Sequence, residues 1–336
     1  MSKKIKLFAC CIPVKGAAKS IICDIQRNDY DEIPNSLYDL LTTFDGHSIA
    51  EIKAHYPVNE HETIDEYLIF LKEKEYIFFT ETPSDFPALN LEWDAPQWIT
   101  NAILDSDSHS TYDIPDIIAQ LSTLRCVALE LRFFDPMPFE FIEKLLLHTQ
   151  HSSLRSVSVV VCYSNPTDIV ALEGLFLLPV PLTNVLLHSY DGEVVTLSSA
   201  LPIFTTPVRV EDETHCGIIS PYNFAVNIPL FTESQHFNNC LNRKISVDKH
   251  GFIKNCPSCD PQYGHVSDTL LATALDHPKF RQVWAIKKDD IEVCRDCEYR
   301  YICIDCRAYQ KHDNLSYSKP IKCQYDPYTA TYNSAQ

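Results

Sequence analysis

LRCVALELRFFDPMPFEFIEKLLLHTQHSSLRSVSVVVCYS, residues 124–164, decides the fold class. An apolar run is followed by a segment with apolar residues at helical spacing, and then by a valine-rich run. Short apolar runs of this kind read as strands buried on both faces, as in parallel sheets. The alternation continues through PTDIVALEGLFLL and TNVLLHSY, then passes through less regular sequence to CGIISPYNFAVNIPLF. Strand and helix in turn imply right-handed crossovers and a parallel sheet. Residues 97–235 are too few for a whole eight-fold barrel, which takes about 250 residues. The expectation is an α/β middle domain forming a partial, incomplete TIM-barrel-like sheet. Cys126 and Cys162 lie in these strands and read as small apolar core residues.

Upstream, residues 1–82 read as an α+β unit. KIKLFACCIPV, SIICDIQ and DYDEIP are extended runs broken by Gly16 and the polar RND turn. NSLYDLLTTFDG sets Leu37, Leu40, Leu41 and Phe44 on one helix face, between an Asn35/Ser36 cap and a terminating Gly46. HSIAEIKAHYP gives a second helix capped by Ser48 and closed by Pro57, and TIDEYLIFLKEKEY a third carrying Ile64, Tyr67, Leu68 and Leu71. YIFFTET returns as a strand. This is a winged-helix outline, in which Cys10, Cys11 and Cys23 are expected to be core. IPNSLYDLLTTFDGHSIAEIKAHY with TIDEYLIFLKEKEYIFF resembles the PqqD-like RiPP recognition element, which holds a precursor peptide's leader as an added strand on a sheet edge. A packing module or a degenerate DNA-binding fold remains the alternative, although Asp65, Glu66, Glu73 and Glu75 make the third helix acidic. PSDFPALNLEWDAP, residues 83–96, reads as a linker with two aromatic anchors.

Composition narrows the partners. The formal charge of -17 argues against nucleic acid or an anionic membrane surface, both of which call for clustered Lys and Arg. No run of about 18 apolar residues marks a membrane span, and the start lacks a signal-peptide pattern, so a cytoplasmic location is expected. Seven glycines, none near another, build no glycine-rich phosphate loop. Fourteen cysteines in a reducing compartment point to metal ligation, and eight of them follow residue 239.

Those eight have a definite order: Cys240, ten residues, Gly251, four residues, Cys256, then Cys259; Cys294 and Cys297; five residues, Cys303; two residues, Cys306; and Cys323. A CxxC turn brings two thiolates onto one metal, and two such pairs are a strong signal. The spacing resembles the SPASM domain, here over residues 236–336, except that the family has three residues where this chain has two between Cys303 and Cys306. The resemblance implies two [4Fe-4S] clusters, one on Cys294, Cys297, Cys303 and Cys323. The other would be on Cys240, Cys256 and Cys306, with Cys259 as a fourth ligand. Zinc is the alternative metal, since both accept four thiolates. His236, near Cys240, reads as a plain loop histidine, and His215 and Cys216 as neighbours that point apart. Phe280 and Trp284 read as packing the cysteine-rich end.

No CxxxCxxC occurs before residue 240, and no glycine-rich segment follows the second middle-domain strand, where LELRFFDPMP stands. S-adenosylmethionine chemistry is therefore not expected of this degenerate radical-SAM-like barrel. The words SIICDIQRNDY, IPNSLYDLL, FTESQHFNN, CEYRYIC and KPIKCQYDPY make the chain similar to the SPASM-domain peptide maturases of grasp-with-spasm systems. That resemblance implies action on a ribosomal precursor peptide beside an ATP-grasp ligase. Three readings stay open: a peptide-binding maturation partner, a redox enzyme using an auxiliary cluster, and a zinc-stapled adaptor without catalysis.

Overall fold

The structure, a computed structural model, describes residues 3–165, 167–192, 202–310 and 317–333. Pro166 and part of the less regular run after TNVLLHSY fall outside the described residues.

KIKLFACCIPV does not form one strand. β1 (Lys4–Leu7) and β2 (Cys11–Lys15) are separated by a turn and join different sheets. β2 continues into a meander with β3 (Ser20–Asp24) and β4 (Asp29–Ile33), in the order β2-β3-β4. β1 pairs antiparallel with β5 (Ile77–Thr80), the returning strand. Between them, α1 (Asn35–Phe44) buries Leu37, Leu40, Leu41 and Phe44, the face its periodicity predicts. Its start differs from expectation: Pro34 is the cap residue, and the Asn35 amide instead donates to the Gly16 and Ala17 carbonyls. α2 (Ile49–His55) has the predicted Ser48 cap as a full capping box, in which the Glu51 carboxylate accepts from the Ser48 N–H at 2.7 Å. α3 (His61–Glu73) buries Ile64, Leu68 and Leu71, while Tyr67 stays half-exposed and pairs its hydroxyl with that of Ser36 at 2.7 Å.

The linker is anchored by both its aromatics. Phe86 stacks edge-on against Phe78, with centroids 4.7 Å apart, and Trp93 meets Phe237 at 5.5 Å with the Arg243 guanidinium over its ring.

The middle region forms a seven-stranded sheet from β6 (Asn101–Ser106), β7 (Ala128–Phe133), β8 (Ser156–Cys162), β9 (Leu182–His188), β10 (Ile203–Thr205), β11 (Lys244–Val247) and β12 (Ile253–Lys254). The order is β10-β9-β8-β7-β6-β11-β12, parallel except for the β11–β12 pair. β6 to β9 are joined through α4 (Ile114–Thr123), α5 (Phe139–Leu147) and α6 (Thr167–Leu175). Each strand lies beside the one before it, as in a barrel wall, but the sheet keeps two edges and stays open. It also continues past residue 235, since β11 pairs with β6 and so places the cysteine-rich segment on the sheet itself.

Alternation along the strands sorts the two faces. Leu104, Leu129, Leu131, Val159, Val161, Val185 and Leu187 pack under the helices together with Cys126. The opposite face carries Asp105, Arg132, His188 and Lys244. α7 (Ile228–His236) leads toward β11, α8 (Leu271–Leu275) closes the helix-side core, and β13 (Tyr325–Asp326) pairs with β14 (Thr331–Tyr332). Phe280 and Trp284, rings 6.1 Å apart, join the core under the sheet's helices rather than packing the cysteine-rich end.

The N-terminal meander packs directly on the cysteine-rich segment. Val14, Ile21, Cys23 and Ile25 share a core with Tyr299, Ile302, Cys303 and Tyr325. The β2–β3 turn is inserted there as well: Ala17 donates to the Asp296 carbonyl at 2.8 Å and Ala18 to that of Pro327 at 3.1 Å. Gly16 has no room for a side chain, since a Cβ would lie 2.6 Å from Glu298 Oε2.

Candidate metal centre

Gly251 explains the glycine placed five residues before Cys256. At φ +88 it closes the β11–β12 turn, donating to the Asp248 carbonyl at 2.8 Å, and the reversed chain delivers Cys256 beside Cys240. A side chain is excluded there because a Cβ would lie 2.5 Å from His265 Nε2. The two CxxC turns close in the same way, Cys259 N–H to Cys256 O at 2.9 Å and Cys297 N–H to Cys294 O at 3.0 Å. Val293, just before Cys294, sits at φ +68, a conformation that costs a β-branched residue about 1–3 kcal/mol.

Cys240, Cys256, Cys259 and Cys306 gather at the open face of the sheet, close enough that the charge of each bears on others of the group. Cys216 joins them, its charge acting on Cys240 and Cys306. Gly217 allows that approach: at φ +82, its Cβ would fall 2.9 Å from Cys306 Sγ. Cys216, Cys240, Cys256 and Cys306 all line one cavity of ≈ 290 Å³ against the sheet. Cys297, Cys303 and Cys323 form a second set at the core shared with the N-terminal meander, and Cys294 lies near Cys303 and Cys297. The CGIIS segment ties the sets together, since Gly217 meets Cys306 while Ile219 bridges to Cys323.

The two-residue step from Cys303 to Cys306 is clamped by two asparagines. Asn239 donates to the Cys303 carbonyl at 2.9 Å and accepts from the Asp305 N–H at 3.0 Å, and Asn238 donates to the Asp305 carboxylate at 2.8 Å. The FNN preceding Cys240 thus fixes the loop that carries two other thiols.

Each set has one lysine without a carboxylate in contact among the described residues. Lys244, half-buried, points its Nζ at Cys240 Sγ, 3.6 Å away. Lys288 is buried and donates to the Cys303 carbonyl at 3.2 Å. Burial works to lower the pKa of each ammonium, but nearby negative groups outweigh it, chiefly Cys240 for Lys244 and Cys303 followed by Asp305 for Lys288, and both end above their ordinary value. A buried ammonium facing neutral thiols is costly; facing thiolates, it is paired. Burial first, and neighbouring negative groups second, push Cys240 and Cys294 up to about 12 against the pull of Lys244 and Lys288, so these two thiols stay protonated at neutral pH. In the Cys256–Cys259 pair, their hydrogen bond pulls the Cys256 pKa down and pushes that of Cys259 up.

Facing this set across the sheet, Arg132 and Asp105 form a buried two-point ion pair, Nε–Oδ1 at 2.5 Å and Nη2–Oδ2 at 2.8 Å. Arg132 Nη1 has no hydrogen-bond partner among the described residues, and its charge opposes the burial that raises the Cys216 pKa and helps to lower that of Cys256. His215 lines the same cavity, its pKa lowered by burial, with Nδ1 on the Asp212 carbonyl at 2.6 Å. His236 stands away from the thiols, on the Leu91 carbonyl at 3.2 Å.

The donor set fits a thiolate-bound metal group. Thiolates on a single tetrahedral zinc lie about 3.8 Å apart, from a Zn–S bond of about 2.3 Å. Among the described residues, no three of these thiols lie within 4.8 Å of one another. Sequence reading missed Cys216, Lys244, Lys288 and the asparagine clamp. Cys216 is followed by a glycine, and Lys244 lies four residues beyond Cys240, both visible in the sequence but meaningless before the chain is folded.

No family model and no curated protein matches this chain. Two crystal structures of SuiB from Streptococcus suis align with it along most of both chains. The form bound to S-adenosylmethionine is 8% identical with a TM-score of 0.40, covering 94% of this chain and 98% of that one. The form bound to precursor peptide SuiA is 9% identical with a TM-score of 0.33, covering 90% and 96%.

Proposed function

We propose that this chain is a SPASM-type maturation protein for a ribosomal precursor peptide. Its N-terminal winged helix grips the leader, its thiols hold iron–sulfur clusters, and an ATP-grasp ligase beside it forms the bonds. The observation that carries the reading is a lysine beside each thiol set, Lys244 Nζ 3.6 Å from Cys240 Sγ and Lys288 Nζ 3.2 Å from the Cys303 carbonyl.

Cys294, Cys297, Cys303 and Cys323 would hold one [4Fe-4S] cluster. Cys240, Cys256 and Cys306 would hold the other, with Cys216 and Cys259 competing for the fourth position. When bound, such clusters supply electron transfer or an anchoring Lewis-acidic iron. Lys244 and Lys288 offset the thiolate charge, and the asparagine clamp sets the angle of the 303–306 loop. The loop after β6, DSHSTYD at residues 107–113, has no cysteine to form an S-adenosylmethionine site.

The leader would add to β4, whose outer edge has no strand partner among the described residues. β2, the opposite edge, carries Pro13, which has no N–H to offer. α3 stands near β4, with Lys74 just past its end paired to Asp31 at 2.8 Å, and frames the groove on that side.

Hydrogen exchange of the full chain with and without a leader peptide tests the binding. Protection should appear at residues 29–33 and 61–73. Iron and sulfide analysis with a visible spectrum tests the metal. Zinc without sulfide, or a leader that protects neither segment, overturns the corresponding half.

A further inference from the structure

The N-terminal cysteines are not merely core. Cys11, the first residue of β2, is in register with Asp24, the last of β3, so their side chains leave the sheet on the same face. Cys10 belongs to the turn after β1 rather than to a strand, which lets its thiol turn toward that of its neighbour. The result is Cys10 Sγ 4.0 Å from Cys11 Sγ and Cys11 Sγ 3.6 Å from Asp24 Oδ2. All three donor atoms lie within 4.8 Å of one another, the one such group among the described residues.

These separations match the edges of a tetrahedron about one ion. A zinc ion with bonds of about 2.3 Å to sulfur and 2.0 Å to oxygen sets S···S near 3.8 Å and S···O near 3.5 Å. No three of the C-terminal thiols lie that close to one another among the described residues. Asp24 and Cys11 are buried, Cys10 is half-exposed, and the trio lines a cavity of ≈ 370 Å³ with Phe8, Arg27, Lys72 and Glu75. The cavity leaves the fourth coordination position open.

Charge is accounted for as well. Two thiolates and a carboxylate around a dication leave one negative charge, and Arg27 lies against it, Nε on Asp24 Oδ2 at 2.5 Å. The guanidinium is fixed by Glu75 at 3.1 Å and the Lys74 carbonyl at 2.7 Å, and the Gln26 and Arg27 N–H groups hold Asp24 Oδ1. This outer support orients the carboxylate as ligand-bearing carboxylates are oriented. We propose that Cys10, Cys11 and Asp24 form a mononuclear site for a zinc-class thiophilic divalent ion, with its fourth position open to the cavity. Binding replaces the two thiol protons, which leave to solvent, so no oxidant or reductant takes part.

The site shares no ligand with the C-terminal thiols, and the test reads Cys10 directly. The full chain is treated with iodoacetamide with and without Zn²⁺ alone, and labelling at Cys10 is followed by peptide mass spectrometry. Zinc should slow alkylation of Cys10 by tenfold or more, and Cys11→Ala or Asp24→Asn should abolish the protection. Equal labelling of the unaltered protein with and without zinc overturns the proposal, whatever the variants do. Undiminished protection in both variants overturns it too.

Discussion

Replacing Lys244 with methionine should change stability in opposite directions in the metal-free and metal-loaded protein. Methionine keeps an unbranched apolar stem and removes the ammonium. Without metal, the Cys240 thiol in contact with the ammonium is protonated, and removing the ammonium relieves a desolvation cost, stabilising the fold by ~1 kcal/mol. With metal, the thiols are thiolates. A unit charge pair at the observed 3.6 Å Nζ–Sγ distance interacts by about 4.6 kcal/mol at an effective dielectric of about 20. Lys244 is only half-buried, so solvent screening reduces the net loss to about 1–2 kcal/mol. That corresponds to roughly a tenfold weaker hold on the metal. Thermal unfolding of both forms, followed by a chelator challenge of the loaded form, reads both terms. The expected pattern is a higher midpoint for the metal-free variant, a lower one for the loaded variant, and faster metal loss, with Lys244→Arg restoring the loaded protein. A shift of the same sign in both forms would refute the assignment of Lys244 to thiolate pairing.

Cys216→Ala should reduce the metal held with Cys240, Cys256 and Cys306 and leave the 294–323 set unchanged, whereas Cys126→Ala, in the helix-side core, should lower stability without altering metal content; elemental analysis separates the two. Gly251→Ala should destabilise by about 2 kcal/mol, from the left-handed backbone and the collision with His265, as read by urea unfolding. Glu233 has its pKa raised to about 7, mainly by burial, against the pull of the Asn242 hydrogen bond and Lys244. The folded state therefore binds the proton more tightly than the unfolded chain, and stability should fall as pH rises from about 4.5 to 7. Glu233→Gln should flatten that slope in denaturant titrations across the same range.

The alternation that opens at Leu124 was legible because a parallel sheet buried on both faces leaves long apolar runs, and β7 and β8 lie where those runs fall. The three N-terminal helices were legible from periodicity for the same reason. The break in KIKLFACCIPV was not, since Phe8 to Cys10 are no less apolar than their flanks. The turn there is decided by pairing of β1 with β5, some seventy residues away. The cap of α1 was misread because Asn35 spends its amide on a distant turn rather than on its own helix.

By itself, the sequence determined that the C-terminal cysteines stand at metal-ligand spacing, because the closure of a CxxC turn is a local property. Only the tertiary structure decided how the thiols are divided. It brought Cys216 to Cys306, set Lys244 and Lys288 beside separate sets, and joined Cys10 and Cys11 to Asp24. Proximity across a hundred residues, and the charge that makes a buried lysine tolerable, exist only once the sheet and the meander have closed on the cysteine-rich end.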